Sequence, residues 1–178
     1  MLDALFAPQA VAVVGASADQ TKLGYIVLDN IIKYGYKGEV HPVNPKADEI
    51  LGRKCYPRVT EIPGPVDLAV IVVPNKFVAG VMNDCGEKGM GAAVIITAGF
   101  REAGVEGRQM EREVIEVARK YNIRVVGPNC LGVIDTNSSL NASFAAGMPD
   151  QGQISFMSQS GALCTGILDW AALNGLGF

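Results

Sequence analysis

Long apolar runs, clustered charge and paired cysteines are all missing from this chain of 178 residues. No stretch of about 20 apolar residues occurs, which excludes a helical membrane span. The start, Met1-Leu2-Asp3-Ala4-Leu5-Phe6-Ala7-Pro8, lacks the basic residues and apolar core of a signal peptide, so a soluble protein is expected. Lysine and arginine total 15 against 18 acidic residues and are scattered. The net charge of −3 offers no basic surface for nucleic acid or an anionic membrane, and any phosphate binding has to be local. Cys55, Cys85, Cys130 and Cys164 lie far apart without a CxxC pair, and His41 is the only histidine, so neither a metal site nor a dithiol centre is indicated. Unpaired cysteines fit a reducing, cytoplasmic setting. There is no internal repeat and no low-complexity tract.

What the chain does have is an apolar interior. Hydrophobic residues make up 49% and charged residues 19%, the balance of a folded domain with a filled core. The length allows one α/β domain and at most a small appendage. Ala10 to Val14 reads as a strand ended by Gly15, followed by a helix from about Gly24 to Tyr34 with Leu28, Ile31 and Ile32 on one face. Glu39 to Val43 is a second strand. Leu68 to Val73 is a third, without polar alternation, as expected of a parallel strand covered on both faces. Asn75 is placed to cap a helix through Lys88 that presents Val78, Val81, Met82 and Cys85. Ala92 to Thr97 is a fourth strand, Gly107 to Tyr121 a helix with Met110, Val114, Val117 and Ala118 inside, and Arg124 to Val126 a fifth strand. This alternation predicts an α/β fold with a Rossmann-like, doubly wound parallel sheet, most simply in the order 3-2-1-4-5. From Gly127 to Gly152 the periodicity fades. A new unit follows: strand Gln153 to Met157, a turn, and a helix from Ala162 to about Leu173, which reads as the first piece of a second α/β domain.

In an open parallel sheet, ligands sit at the carboxyl ends of the strands, near the point where strand order reverses. After the first strand the chain runs from Gly15 to Gly24; glycine lets the backbone approach a ligand, and amides at the helix start bind phosphate. Lys22 adds a positive charge. A strict GxGxxG is missing, and the second strand ends at Asn44, where an acidic residue would take a ribose 2′-hydroxyl, which counts against NAD. Lys46, just beyond Asn44-Pro45, is placed to meet a phosphate. The alternative is that Gly15 and Gly24 serve only tight packing and that Lys46 is a solvated turn residue.

The ordered series VVGAS (13–17), Lys22-Leu23-Gly24, VNPK (43–46), VVP (72–74), TAGF (97–100), GPNCLG (127–132) and SQSGAL (158–163) resembles the CoA-binding half of ADP-forming acetyl-CoA synthetases. More distantly it is similar to the α subunit of succinyl-CoA synthetase and to protein acetyltransferases with the same module. The resemblance covers essentially the whole chain. It implies a CoA-binding Rossmann-like domain over 1–130, a linker over 131–152 and, over 153–178, the first strand–helix unit of a truncated, flavodoxin-like ligase domain. It further implies that Gly15, Ala16, Ser17 and Lys22 contact the CoA phosphates and that Lys46, with Asn44 and Pro45, meets the nucleotide. Val73-Pro74 and Thr97-Ala98-Gly99 would line the adenosine and pantetheine path. Pro128, Asn129 and Cys130 would lie near the thiol end, where Asn129 can hold an acyl carbonyl or acyl phosphate; a simple turn ending the fifth strand is the alternative. Ser158-Gln159-Ser160-Gly161, at a helix start, would form a second, phosphate-binding site, with an ordinary serine cap as its alternative.

The resembled mechanism passes a phosphoryl group through a histidine downstream of SQSG, and this chain ends before it. His41 reads as structural, and Cys130, without an adjacent base, as a turn residue rather than a nucleophile. No catalytic residue is assigned. The resemblance thus implies a CoA-binding module of an acid–thiol ligase, holding CoA as acetyl-CoA or another acyl-CoA, and inactive without the missing ligase domains or an ATP-grasp β subunit. A free-standing CoA-binding or sensing protein and an NAD(P)-dependent oxidoreductase on the same fold are the alternatives. The helix around Ile167, Leu168 and Trp170 is expected to bury an apolar face against a partner, another copy or the absent domain.

Overall fold

Side chains along the central strands alternate between two cores, which is why their sequences are apolar at every position. The computed structural model describes residues 2–178. In chain order its elements are α1 (Asp3–Phe6), β1 (Ala10–Val14), α2 (Leu23–Lys33) and β2 (Glu39–Val43), then a small hairpin of β3 (Glu49–Ile50) and β4 (Arg53–Lys54). There follow β5 (Leu68–Ile71), α3 (Asn75–Lys88), β6 (Ala92–Ile95), α4 (Val105–Tyr121) and β7 (Arg124–Val126). A second hairpin, β8 (Gly132–Asp135) and β9 (Leu140–Ser143), precedes α5 (Gly161–Asn174).

Five strands form one parallel sheet in the order β2-β1-β5-β6-β7. Counting only these five along the chain, the order is 2-1-3-4-5, not the expected 3-2-1-4-5. The physical reason is in β2. Pro42 has no N–H to offer a second neighbour, and Glu39 is exposed, so this strand suits an edge. β5 (LAVI) is buried along its whole length and takes the inner place beside β1.

Val11, Val13, Leu68, Val70, Ala92 and Val94 point to one face, where α2 packs Val27, Leu28 and Ile31. Ala10, Ala12, Val14, Ala69, Ile71, Ala93 and Ile95 point to the other, under Val78 and Met82 of α3 and Val114 and Ala118 of α4. Two long helices cover the second face but only one covers the first. The rest of the first face is closed by Leu5 of α1 and by Val133, Leu140 and Ala142 of the β8–β9 hairpin. The stretch 131–152, expected to be a linker, is therefore partly folded onto the domain, because the sheet needs that cover. Asn30 of α2 fastens it: its buried Nδ2 donates to the carbonyls of Ser143 (2.9 Å) and Ala145 (3.0 Å). Inside the hairpin the Ser143 hydroxyl donates to Asn141 Oδ1 (2.6 Å) and accepts from the Ala145 N–H (3.1 Å).

Residues 153–157 are not a strand. The alternating pattern is there, but a strand requires a neighbour to bond its backbone, and Ile154, Phe156 and Met157 remain exposed. α5 does form, capped at its start by Ser160, whose hydroxyl accepts from the Leu163 N–H at 3.3 Å. It buries only Ala171, and Leu163, Trp170 and Leu173 are exposed, while Ile167 and Leu168 are half-buried. Among the described residues no helix is long and apolar enough to cross a membrane.

Candidate functional site

β5 and β6 end at Ile71 and Ile95, two residues earlier than their apolar runs, so Val72-Val73 and Ile96-Thr97 belong to loops at the carboxyl edge of the sheet. With the loops after β1, β2 and β7 they form a continuous rim. In this strand order the reversal point lies between β1 and β5, where the crevice of such sheets opens.

The rim is built by close approach at that point. Gly15 has φ +93°, and a Cβ there would stand 3.0 Å from the Val72 carbonyl carbon and 3.1 Å from a methyl of Val73. Only glycine adopts this backbone and clears these neighbours at once. Its N–H donates to the Val43 carbonyl at 2.9 Å. Gly24, in the first turn of α2, faces the Gly15 carbonyl oxygen so closely that a side chain would collide with it. The start of α2 is thereby pressed against the end of β1. It has no side-chain cap and no acidic residue in its first turn, so its positive end is not neutralised locally. Ala16 is buried, Ser17 is half-buried and Lys22 is exposed. Asp19 directs its carboxylate to the N–H (2.9 Å) and hydroxyl (2.7 Å) of Thr21. Those hydrogen bonds hold it below the usual carboxylate range. Asp19 offsets the charge of Lys22, so anion binding here depends on backbone amides as much as on the lysine.

Hydrogen bonds then tie neighbouring loops together on either side of this point. Asn44 Nδ2 donates to the Ala16 carbonyl at 2.8 Å, and its Oδ1 accepts from the Lys46 N–H at 2.9 Å. Asn44 thus holds the β1 and β2 loops together instead of standing free for a ribose hydroxyl. Pro45 and Lys46 are exposed beside it. Thr97 donates its hydroxyl to the Val73 carbonyl at 2.7 Å, joining the β5 and β6 loops. Its own carbonyl accepts from the Asn129 N–H at 3.0 Å, joining β6 to β7. Pro74, Ala98 and Asn129 are exposed along this line; Val73, Gly99, Pro128 and Cys130 are half-buried.

Cys130 points inward, its thiol donating to the Ile95 carbonyl at 3.3 Å. Burial pushes its pKa up to about 11, so it stays a thiol at neutral pH and is a poor nucleophile. His41 lies within β2, 3.1 Å from Glu39 and edge-on to Tyr56, and burial lowers its pKa against the opposing pull of Glu39. Ser158, Gln159, Ser160 and Gly161 sit at the start of α5. The Ser158 and Ser160 hydroxyls are engaged locally, with Ser160 N–H and Leu163 N–H. The structure therefore brings the first fifteen candidate residues into one rim and leaves the last four apart, at the start of α5. Asn75, expected as an N-cap, is instead the first residue of α3 after Pro74 and reaches across to the Gly99 carbonyl at 2.7 Å. Sequence reasoning missed it as a rim residue, and missed Glu102, which accepts from the Gly99 N–H at 2.6 Å.

Residues 9–136, which contain the whole rim, match the CoA binding domain family. The chain belongs to that family. Among curated relatives, the α subunit of ADP-forming acetate–CoA ligase II from Pyrococcus furiosus is 49% identical over 100% of this chain and 38% of its own. ADP-forming 4-hydroxybutyrate–CoA ligase from Nitrosopumilus maritimus is 42% identical over 98% of this chain and 25% of its own. A solved structure of the dinucleotide forming acetyl-coenzyme A synthetase 1 of Ca. Korarchaeum cryptofilum, in complex with phosphate and ADP, superposes with a TM-score of 0.95 at 45% identity, covering 99% of this chain and 38% of that one. The chain of this CoA-binding domain member spans between 24% and 39% of the length of the ligases it resembles.

Proposed function

We propose that this chain binds coenzyme A along the rim and serves as the CoA module of a nucleoside-diphosphate-forming acyl-CoA synthetase. The observation that carries the reading is the Gly15–Gly24 contact, which sets the unneutralised start of α2 at the reversal point of a sheet whose family is CoA-binding. The amides of the Gly15-Ala16-Ser17 loop and Lys22 would take the phosphates of CoA, and Lys46 beside Asn44-Pro45 would take nucleotide phosphate. Val73-Pro74 and Thr97-Ala98-Gly99 would wall the path of the extended chain, ending at Pro128, Asn129 and Cys130. Bound CoA supplies a thiol as acyl acceptor. The side-chain amide of Asn129, exposed at the rim's end, would orient the acyl carbonyl. Acetyl-CoA is the acyl form suggested by relatives named as acetate ligases. The rest of such a ligase, fused or as an ATP-grasp partner subunit, would supply the nucleotide and phosphoryl chemistry. Ser158, Gln159, Ser160 and Gly161 would face the phosphate there, in a cytoplasmic enzyme whose second domain begins near residue 153.

Calorimetric titration with CoA, 3′-dephospho-CoA and NAD tests the reading. CoA should bind and NAD should not. Lys22→Ala and Lys46→Ala should each weaken CoA about tenfold, the worth of one charge-assisted hydrogen bond. Lys46→Ala should lose its effect on 3′-dephospho-CoA if that lysine meets the 3′-phosphate. A folded protein that ignores CoA would refute the assignment.

A further inference from the structure

We propose that Asn75 and Glu102 are positioning residues for CoA, holding the Ala98-Gly99 turn of the rim from both sides; the inference rests on the CoA-binding reading above. Gly99 makes its two backbone hydrogen bonds to side chains. Its carbonyl accepts from Asn75 Nδ2 at 2.7 Å, across 24 positions of sequence, and its N–H donates to Glu102 Oε1 at 2.6 Å. Asn75 is itself held, since its Oδ1 accepts from the Lys76 N–H at 2.8 Å. Gly99 has φ +95°, and a Cβ would stand 2.7 Å from Asn75 Nδ2, so glycine and asparagine are fitted to each other.

Thr97 fixes the near end of the same turn through its hydroxyl on Val73 and its carbonyl under Asn129. Asn75 and Glu102 fix the far end. Between these anchors the Ala98 peptide is exposed, presented to whatever lies along the rim. Glu102 stays charged at neutral pH. Its burial acts to raise its pKa, but hydrogen bonds from its own N–H and those of Gly99 and Phe100 outweigh this, with Arg101 adding attraction. Arg101 is in turn engaged by Glu111 of α4, which accepts its main-chain N–H at 3.1 Å and lies 4.0 Å from its Nε. A carboxylate accepting an amide gives a stronger bond than a neutral acceptor does. Neither Asn75 nor Glu102 belongs to the two apolar cores, so the turn can be loosened without emptying either core.

The test compares the wild type with Asn75→Ala, Asn75→Asp and Glu102→Gln. CoA affinity is measured by calorimetry at low and high salt, together with thermal midpoint and amide exchange at Gly99. Asn75→Asp keeps the shape and the bond to Lys76, and an acidic residue in the first turn favours α3, so stability is not the variable. All three midpoints should stay within about 4 °C of the wild type, the equivalent of roughly one hydrogen bond, while Gly99 exchanges faster in each. CoA should bind about threefold to tenfold more weakly to Asn75→Ala. Asn75→Asp should bind more weakly still, with a loss that persists at high salt. Unchanged affinity in both Asn75 variants of a chain that binds CoA overturns the inference. So does a loss confined to Asn75→Asp that disappears with salt, which is charge alone, or an Asn75→Ala that unfolds, which is a structural role. A wild type that ignores CoA overturns the binding reading instead, and the Gly99 exchange then judges the clamp by itself.

Discussion

Two helices of this molecule begin at glycine-containing turns that read alike in sequence, yet their surroundings differ completely. α2 starts against the end of β1, without a side-chain cap, and buries Gly24, Val27, Leu28, Asn30 and Ile31. α5 starts in the open, with its first amides partly satisfied by Ser160, and buries only Ala171. On the proposed reading, the uncapped α2 start pressed to the sheet edge would take an anion within this domain, whereas the α5 start, capped by Ser160 and open to solvent, would do so only with the rest of the ligase around it.

The largest expected effect on this contrast comes from Gly24→Ala. The new methyl meets the Gly15 carbonyl, so the helix start must move off β1. Overpacking of this kind costs about 3 kcal/mol in urea denaturation, with loss of CoA binding. Asn30→Ala should follow at about 2 kcal/mol, since the Ser143 and Ala145 carbonyls lose their buried donor. Amide exchange should then quicken first in β8 and β9. On the other side of the comparison, Gly166→Ala in α5 meets nothing within 4 Å. It should strengthen that helix by up to about 1 kcal/mol, seen as slower local exchange, and leave the main transition unmoved. Thiol labelling at pH 8 should modify Cys164 of α5 well before Cys130, Cys85 or Cys55, whose pKa values burial raises. If Cys130 labels first, the rim is looser than its hydrogen bonds imply.

The smallest effect concerns His41. Its folded pKa lies below the ordinary value of 6.5, so as pH falls the unfolded chain takes up this proton first. The His41 contribution is complete above about pH 6.5 and falls as pH drops toward the lowered folded value. Thermal midpoints at pH 7.5 and 5.5 should differ less in His41→Gln than in the wild type.

Much of this was legible in the sequence, and the failures have physical causes. The strand and helix positions followed from apolar runs and their spacing, because strands buried on both faces carry no polar alternation. Strand order did not follow, although Pro42 signalled an edge, because adjacency in a sheet is a long-range fact that local patterns only constrain. The β8–β9 hairpin escaped notice because its strands are four residues each and contain Asn141 and Ser143, polar residues buried only through their mutual bond and contacts from Asn30 and Gly147. Gln153 to Met157 had the pattern of a strand and no neighbour to make it one. Among rim residues, Gly15, Asn44 and Thr97 stood at strand ends and were readable. Asn75 and Glu102 were not, because their partners are the carbonyl and the N–H of one residue, Gly99, which nothing local to Asn75 reveals.

The cross-links of the rim have a consequence for the kinetics of encounter. Asn44 to Ala16 fastens the β2 loop to that of β1, and Thr97 to Val73 with Asn129 to Thr97 fastens the loops of β5, β6 and β7, each bond bridging between 24 and 32 positions of chain. Loops fixed in this way surrendered their freedom when the domain folded, so a ligand arriving at the edge has little left to order. Association should then depend on diffusion and orientation rather than on waiting for a loop to close, with the lifetime of the complex determined by how many of these fixed groups the ligand engages.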